Sequence, residues 1–137
     1  MNRELVTDPL GVEDLWADLR ENIKLLKSSG YTRAMVFFGF GWGEHMYEGK
    51  WKDIPMSLDD LEKSIRDAED KGFGSLGSDN LYFTIEEIPI RLSYSYESVI
   101  HLSYSEGNDN DMALTIQNRW LSLGWLTESQ KSGFYNR

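Results

Sequence analysis

The segment 81-LYFTIEEIPIRLSYSYESVIHLSYS-105 decides the fold, because apolar and polar side chains alternate along three successive runs. This period of two is typical of antiparallel strands with one buried face. Pro89 cannot donate to a strand ladder, so it marks a strand start, a bulge or an edge. The positions predicted to face the core are Leu81, Phe83, Ile85, Ile88, Ile90, Leu92, Tyr94, Tyr96, Ile100, Leu102 and Tyr104.

Helical periodicity replaces this alternation on both sides of the segment. A first helix is predicted to open at Asp8-Pro9 and to end at Gly30, with apolar residues at helical spacing between them. A second runs from the N-cap Ser57 to Gly72, and a third follows the acidic turn EGNDND and ends at Gly124. Residues 31–40, YTRAMVFFGF, are largely apolar on both alternating faces, which predicts a strand that is covered on both sides or lies centrally in the sheet.

These elements predict one α+β domain spanning residues 1–137. Their order along the chain is α-β-α-β-β-β-α. We expect helices packed against a mainly antiparallel sheet of about four strands.

The composition restricts the chemistry that the chain can carry. Cysteine is absent, so there is no disulfide framework, thiolate metal site or cysteine nucleophile. The N-terminus lacks the pattern of a signal peptide and no apolar run is long enough to cross a bilayer, so we expect a soluble, cytoplasmic protein without a membrane partner. Its oligomeric state stays open.

The net charge of −9 comes from the middle of the chain, where residues 57–111 carry thirteen acids and four bases. Such a surface repels phosphate backbones, which disfavours direct nucleic-acid binding, and attracts a partner with a basic surface. The alternative is that the acidity only keeps the protein soluble.

The motifs that usually carry chemistry do not occur in a suitable context. GFGSLG, residues 72–77, matches G-x-G-x-x-G but follows a helix and precedes a strand, so a helix stop and a link are the better interpretation. His45 and His101 are the only histidines, and His101 is predicted on the solvent face of the sheet. We therefore predict no catalytic residue, no metal site and no cofactor.

The stretch FFGFGWGEHMYEGKW, residues 37–51, is the best candidate for an interface. Trp42, Tyr47 and Trp51 lie beyond the strand among glycines, and large aromatics on irregular segments often anchor protein interfaces. The loop could equally fold back and fill the core between sheet and helices. The predicted partner-binding residues are Trp42, His45, Tyr47, Trp51, Asp67, Asp70, Asp109 and Asp111.

A small, acidic, cysteine-free α+β domain rich in aromatics is similar in general character to the immunity proteins that bacteria pair with their own toxins. That resemblance implies a protein-binding inhibitor that neutralises a basic partner, such as a toxin nuclease. Two alternatives stay open: a small-ligand-binding protein or enzyme that uses loop 39–51 with His45, and a regulatory domain that mimics nucleic acid. Mimicry demands two rows of carboxylates at phosphate-like spacing, whereas an inhibitor needs one patch beside an apolar centre.

Overall fold

The structure is a computed structural model that describes residues 3–39, 41–46, 52–105 and 111–126. Over these residues the chain forms three α-helices: α1 (Val12–Ser28), α2 (Leu58–Asp70) and α3 (Asp111–Leu123). Six strands accompany them: β1 (Arg3–Val6), β2 (Arg33–Phe38), β3 (Ile54–Ser57), β4 (Leu81–Ile85), β5 (Ile90–Tyr94) and β6 (Ile100–Tyr104). A turn of 3₁₀ helix, Trp42–Glu44, follows β2. The predicted α+β class is confirmed.

The strands form a single antiparallel sheet in the order β1-β6-β5-β4-β2-β3. The prediction of about four strands is wrong in detail, because β1 precedes α1 and β3 precedes α2. Both missed strands have four residues and lie at the edges of the sheet, and β3 contains Pro55. Strands this short carry too little alternation to be read from the sequence, and proline is tolerated at an edge.

The core lies between one face of the sheet and the three helices. Val36, Phe83, Leu92 and Leu102 are cross-strand partners in a single row, and all four are buried. The predicted inward positions Phe83, Leu92 and Leu102 are therefore confirmed, whereas Ser93, on the outward face of the predicted alternation, is also buried. Tyr96 is an exception: β5 ends at Tyr94, so Tyr96 lies in the following turn with 62% of its surface exposed.

The helices α2 and α3 lie on either side of α1 and run antiparallel to it. Lys27, at the end of α1, forms an ion pair with Asp59 at the start of α2. Just before α1, the Asp8 N–H donates to the carbonyl of Trp125, just after α3, at 2.7 Å. The start of α1 and the ends of α2 and α3 consequently meet at one end of the molecule.

The ends of α2 and α3 match the sequence prediction. Gly72 and Gly124 both adopt φ of 73°, and in both helices the next residue, Phe73 or Trp125, donates its N–H back across the last turn at 3.0 Å. This is the Schellman geometry, for which glycine is preferred because it has no Cβ. At the start of α2 the Ser57 hydroxyl accepts the Asp60 N–H at 3.2 Å, as a capping serine does.

The start of α1 differs from the prediction at Asp8-Pro9. The helix begins at Val12, and its N-cap Gly11 makes no side-chain hydrogen bond. The preceding residues are held in tertiary contacts instead: Thr7 Oγ1 accepts the Ile100 N–H at 2.9 Å, and the Leu10 N–H donates to the Ser98 carbonyl at 2.8 Å. None of the helices in the described ranges is long and apolar enough to span a bilayer.

Candidate functional site

Most of the described loops gather at one end of the sheet, which we call the loop end. Strand pairing places the end of β2 beside the start of β4, and the end of β5 beside the start of β6. The loop end comprises residues 7–14, 39–46, 52–53, 67–80, 95–99 and 122–126, apart from residue 40, which lies outside the described ranges.

Hydrogen bonds join these loops into one surface. The Asn80 carbonyl accepts Trp42 Nε1 at 2.8 Å, and its side-chain oxygen accepts the Tyr96 N–H at 2.7 Å. The Ser98 carbonyl accepts the Leu10 N–H, which connects the β5–β6 turn to the start of α1. Four connections that are distant in sequence are thereby held against one another.

The exposed charges of the loop end are mainly negative. The loop end has seven exposed carboxylates and two exposed lysines, Lys52 and Lys71. None of these seven carboxylates forms an ion pair with a described residue, whereas Asp59 and Glu62, between α1 and α2, are paired with Lys27 and Arg20. The seven are Glu13, Asp14, Glu44, Asp53, Asp67, Asp70 and Glu97.

Apolar exposure is what distinguishes the loop end from the opposite end, which also carries acids. Among the described residues, the exposed large apolar side chains are Val12, Tyr96, Leu114 and Leu123. All but Leu114 lie at the loop end. An apolar centre surrounded by charge is the usual composition of a protein interface.

A groove of about 260 Å³ opens at the loop end between α2 and the segment that follows β2. Ser64, Asp67 and Ala68 share one face of α2, and with the C-cap residue Lys71 they form one wall, in which Ala68 is buried. His45, Met46 and Phe73 complete the lining. We call this the Phe73 groove. The His45 and Phe73 rings stack with their centroids 5.1 Å apart and their planes 19° apart.

Trp42 was a predicted partner-binding residue, and the structure places it in the core instead. Its exposure is 0%, its indole meets Phe38 edge to face at 5.3 Å, and Gly74 packs so closely that a Cβ there would lie 2.7 Å from Trp42 Cβ. A side chain with no exposed surface cannot contact a partner in this conformation. The prediction of an exposed Trp42 is wrong, because the loop folds back at this residue.

The other predicted partner-binding residues fall into three groups. His45, Asp67 and Asp70 are exposed at the loop end, and His45 and Asp67 line the same groove. Asp111 is exposed on the first turn of α3, at the opposite end of the helical layer, so it does not join them. Tyr47, Trp51 and Asp109 lie outside the described residues.

Several residues of this surface were not predicted from the sequence. Phe73 follows the helix stop Gly72, where an aromatic residue often packs back on the helix, and only the tertiary fold places it under His45. Val12 is one of the apolar residues at helical spacing in the first predicted helix, yet as the first residue of α1 it is exposed. Tyr96 was assigned to a strand that ends before it.

The second histidine is remote from the groove. His101 lies in β6 on the sheet face away from the helices, where its Nδ1 is 3.6 Å from Glu4 Oε1 and Ser103 donates to the same carboxylate. The sheet therefore separates His101 from His45, which borders α2. Within the described part of the chain, no cluster of three potential metal ligands forms.

A buried polar network connects α1, α3 and β5, and it was not predicted from the sequence. Asp18 is 1% exposed and accepts hydrogen bonds from Asn22, Tyr94, Trp120 and Arg119 at 2.5–2.8 Å. Burial, reinforced by the negative charge of Asp18 and its hydrogen bond, raises the pKa of Tyr94 well above its ordinary value. The network holds the helices on the sheet but presents no carboxylate to solvent. The available signal was the i, i+4 pair Asp18 and Asn22 inside an apolar helix stripe.

Comparisons with known protein families, with curated proteins and with solved structures find no match for this chain.

Proposed function

We propose that this protein is a binding module for another protein with a basic surface, and that it acts as an inhibitor of the immunity type. The loop end is the contact surface. The observation that supports this most directly is the coincidence, at one end of the fold, of exposed Val12, Tyr96 and Leu123 with seven exposed carboxylates that form no ion pair with a described residue.

The physical argument has two parts. Unpaired carboxylates around a surface raise the local concentration of a cationic partner and speed its encounter. Exposed apolar side chains then stabilise the complex, because their surface is removed from water on docking, a contribution that charge alone does not make. An inhibitor that blocks a nuclease site needs the carboxylates because that site attracts phosphate. It needs the apolar surface to hold the complex together.

The alternatives receive less support from the same surface. A nucleic-acid mimic needs carboxylates without an apolar centre, and the loop end also exposes Tyr96 and Val12. A small-ligand site has one observation in its favour, the Phe73 groove. Its volume of about 260 Å³ is below the roughly 300–1,000 Å³ of drug-sized ligand pockets, which favours a single side chain over a free molecule.

A matched pair of charge reversals tests the proposal. Asp67→Lys with Asp70→Lys alters the loop end, and Glu86→Lys with Glu87→Lys makes the same charge change in the β4–β5 turn at the opposite end. The two substitutions in α2 should not destabilise the helix, because basic residues interact favourably with the dipole near a helix C-terminus. The partner is first captured from the native cells with the wild-type protein and identified by mass.

Association kinetics with that partner then decide the matter. We expect the Asp67/Asp70 variant to associate about tenfold more slowly at low salt, and the Glu86/Glu87 variant to change by about twofold or less, with the difference vanishing at high salt. If inhibition is the function, the wild-type protein also suppresses the activity of the partner. Equal effects of both variants, or an acidic partner surface, would contradict the proposal.

A further inference from the structure

The Phe73 groove has the features of a receptor for one long cationic side chain. Its lining includes the apolar side chains of Met46 and Phe73 and the buried Ala68, and Asp67 lines it without an ion pair to any described residue. The stacked rings of His45 and Phe73 belong to the same lining. An apolar side chain, an aromatic face and a carboxylate are the three contacts that an arginine uses at once.

We propose that the Phe73 groove receives a single arginine side chain of the partner. Its methylene stem lies along Met46, its guanidinium lies against the ring pair, and Asp67 accepts its N–H groups. This inference rests on the proposed function and names the chemistry of its central contact. Arginine is preferred to lysine because its planar group both stacks on rings and meets a carboxylate through two parallel hydrogen bonds.

Lys71 repels an arginine in the groove because both side chains are positively charged, but its position also shows that the Phe73 ring can accept a cation. Its ammonium lies 5.9 Å from the centre of the Phe73 ring, so this face already holds a cation of the chain itself. Lys71 is exposed as the C-cap residue of α2, four residues after Asp67. An incoming arginine therefore displaces Lys71 toward solvent, and removing the lysine charge strengthens binding.

The probe is N-acetyl-arginine amide, whose only charge is the guanidinium. Binding is followed by two-dimensional NMR of the full chain, using the Ala68 methyl, the His45 imidazole and the Phe73 ring as reporters. N-acetyl-citrulline amide is the matched control, because it keeps the shape of the side chain without the charge. N-acetyl-glutamate amide tests whether Lys71 instead makes the groove a receptor for anions.

We expect saturable shifts confined to the groove, with a dissociation constant in the millimolar range for so small a probe, and no saturation by citrulline or glutamate probes. Asp67→Asn should weaken arginine binding at least fivefold, and Lys71→Gln should tighten it about twofold or more. Asp70→Asn is the matched control for the carboxylate: it lies three residues further on the same helix, outside the groove lining, and should change binding by less than twofold.

Several outcomes would overturn the inference, and they differ from those that overturn the proposed function. Absence of groove shifts with arginine, stronger binding of the glutamate probe, or equal losses in Asp67→Asn and Asp70→Asn would each reject the arginine site. If the arginine site is rejected but the Asp67→Lys/Asp70→Lys variant still associates more slowly with the partner, the acidic interface stands and only its proposed arginine contact is wrong. If arginine binds as expected but the reversal has no effect on the partner, the groove binds arginine and the proposed interface fails.

Discussion

Replacing Asp18 with alanine is the most informative test of how this fold is held together. The carboxylate accepts four hydrogen bonds, including one from Arg119 Nη2 at 2.5 Å and one from Trp120 Nε1 at 2.8 Å. In the variant, Tyr94 and Asn22 still contact each other at 2.9 Å, but Trp120 Nε1 loses its acceptor and Arg119 loses its counter-ion.

The magnitude follows from those two losses. Breaking a buried ion pair by removing one partner costs roughly 3–5 kcal/mol, and the lower value applies because the Arg119 side chain keeps 23% of its exposure to water. A buried donor left without an acceptor adds about 1 kcal/mol. We therefore expect the free energy of unfolding to fall by about 4 kcal/mol, a large share of the roughly 5–15 kcal/mol typical of a domain.

Urea denaturation followed by tryptophan fluorescence measures this loss. With a slope of about 2 kcal/mol per molar, the midpoint should fall by about 2 M. Glu21→Ala is the control, because Glu21 lies on the same helix, is exposed and forms no ion pair with a described residue; its effect should stay within about 0.5 kcal/mol.

A double variant separates the buried charge from simple loss of packing. Adding Arg119→Met to Asp18→Ala removes the stranded guanidinium, so the pair should be less damaging than the sum of the single changes by about 1 kcal/mol or more. Additive effects, or an Asp18→Ala loss below about 1 kcal/mol, would refute the view that this network holds α1 and α3 on the sheet.

Two further predictions concern the alkaline limit and the aromatic core. Because the pKa of Tyr94 is raised in the native state, the native protein keeps the phenol proton above about pH 10, where the unfolded chain releases it. The contribution of Tyr94 to the free energy of unfolding is therefore complete below about pH 10, and above that pH it declines by up to about 1.4 kcal/mol per pH unit. Tyr94→Phe should flatten that alkaline decline in unfolding measurements across pH 9–11, and an unchanged slope would assign the decline to other groups. Trp42→Ala should cost about 3–5 kcal/mol of stability, measured by thermal denaturation, because it empties a buried site and removes the hydrogen bond to Asn80; a stable variant with weakened partner binding would return Trp42 to the interface.

Much of the secondary structure could be predicted from the sequence because it depends on neighbouring residues. The period of two from Leu81 to Tyr104 and the serine cap at Ser57 are local patterns, and each produced the predicted element. Gly72 and Gly124 ended their helices for the same reason, since the preference for positive φ belongs to the residue itself. The failures were at Asp8-Pro9, β1 and β3, where tertiary hydrogen bonds outweigh weak local preference.

The candidate site was less predictable, because it is a property of how distant segments meet. Nothing local to Trp42 distinguishes an exposed anchor from a core residue; the distinction comes from Asn80 and Gly74, more than thirty residues away in the chain. Asp67 and Asp111 both belong to the acidic middle of the sequence, yet antiparallel helices carry them to opposite ends of the layer. The sequence by itself determined the element types, the chain's acidity and the lack of cysteine chemistry, since these follow from residue type and short-range spacing. Only the tertiary structure decided which carboxylates share a surface with exposed apolar groups, because that depends on strand order and helix direction.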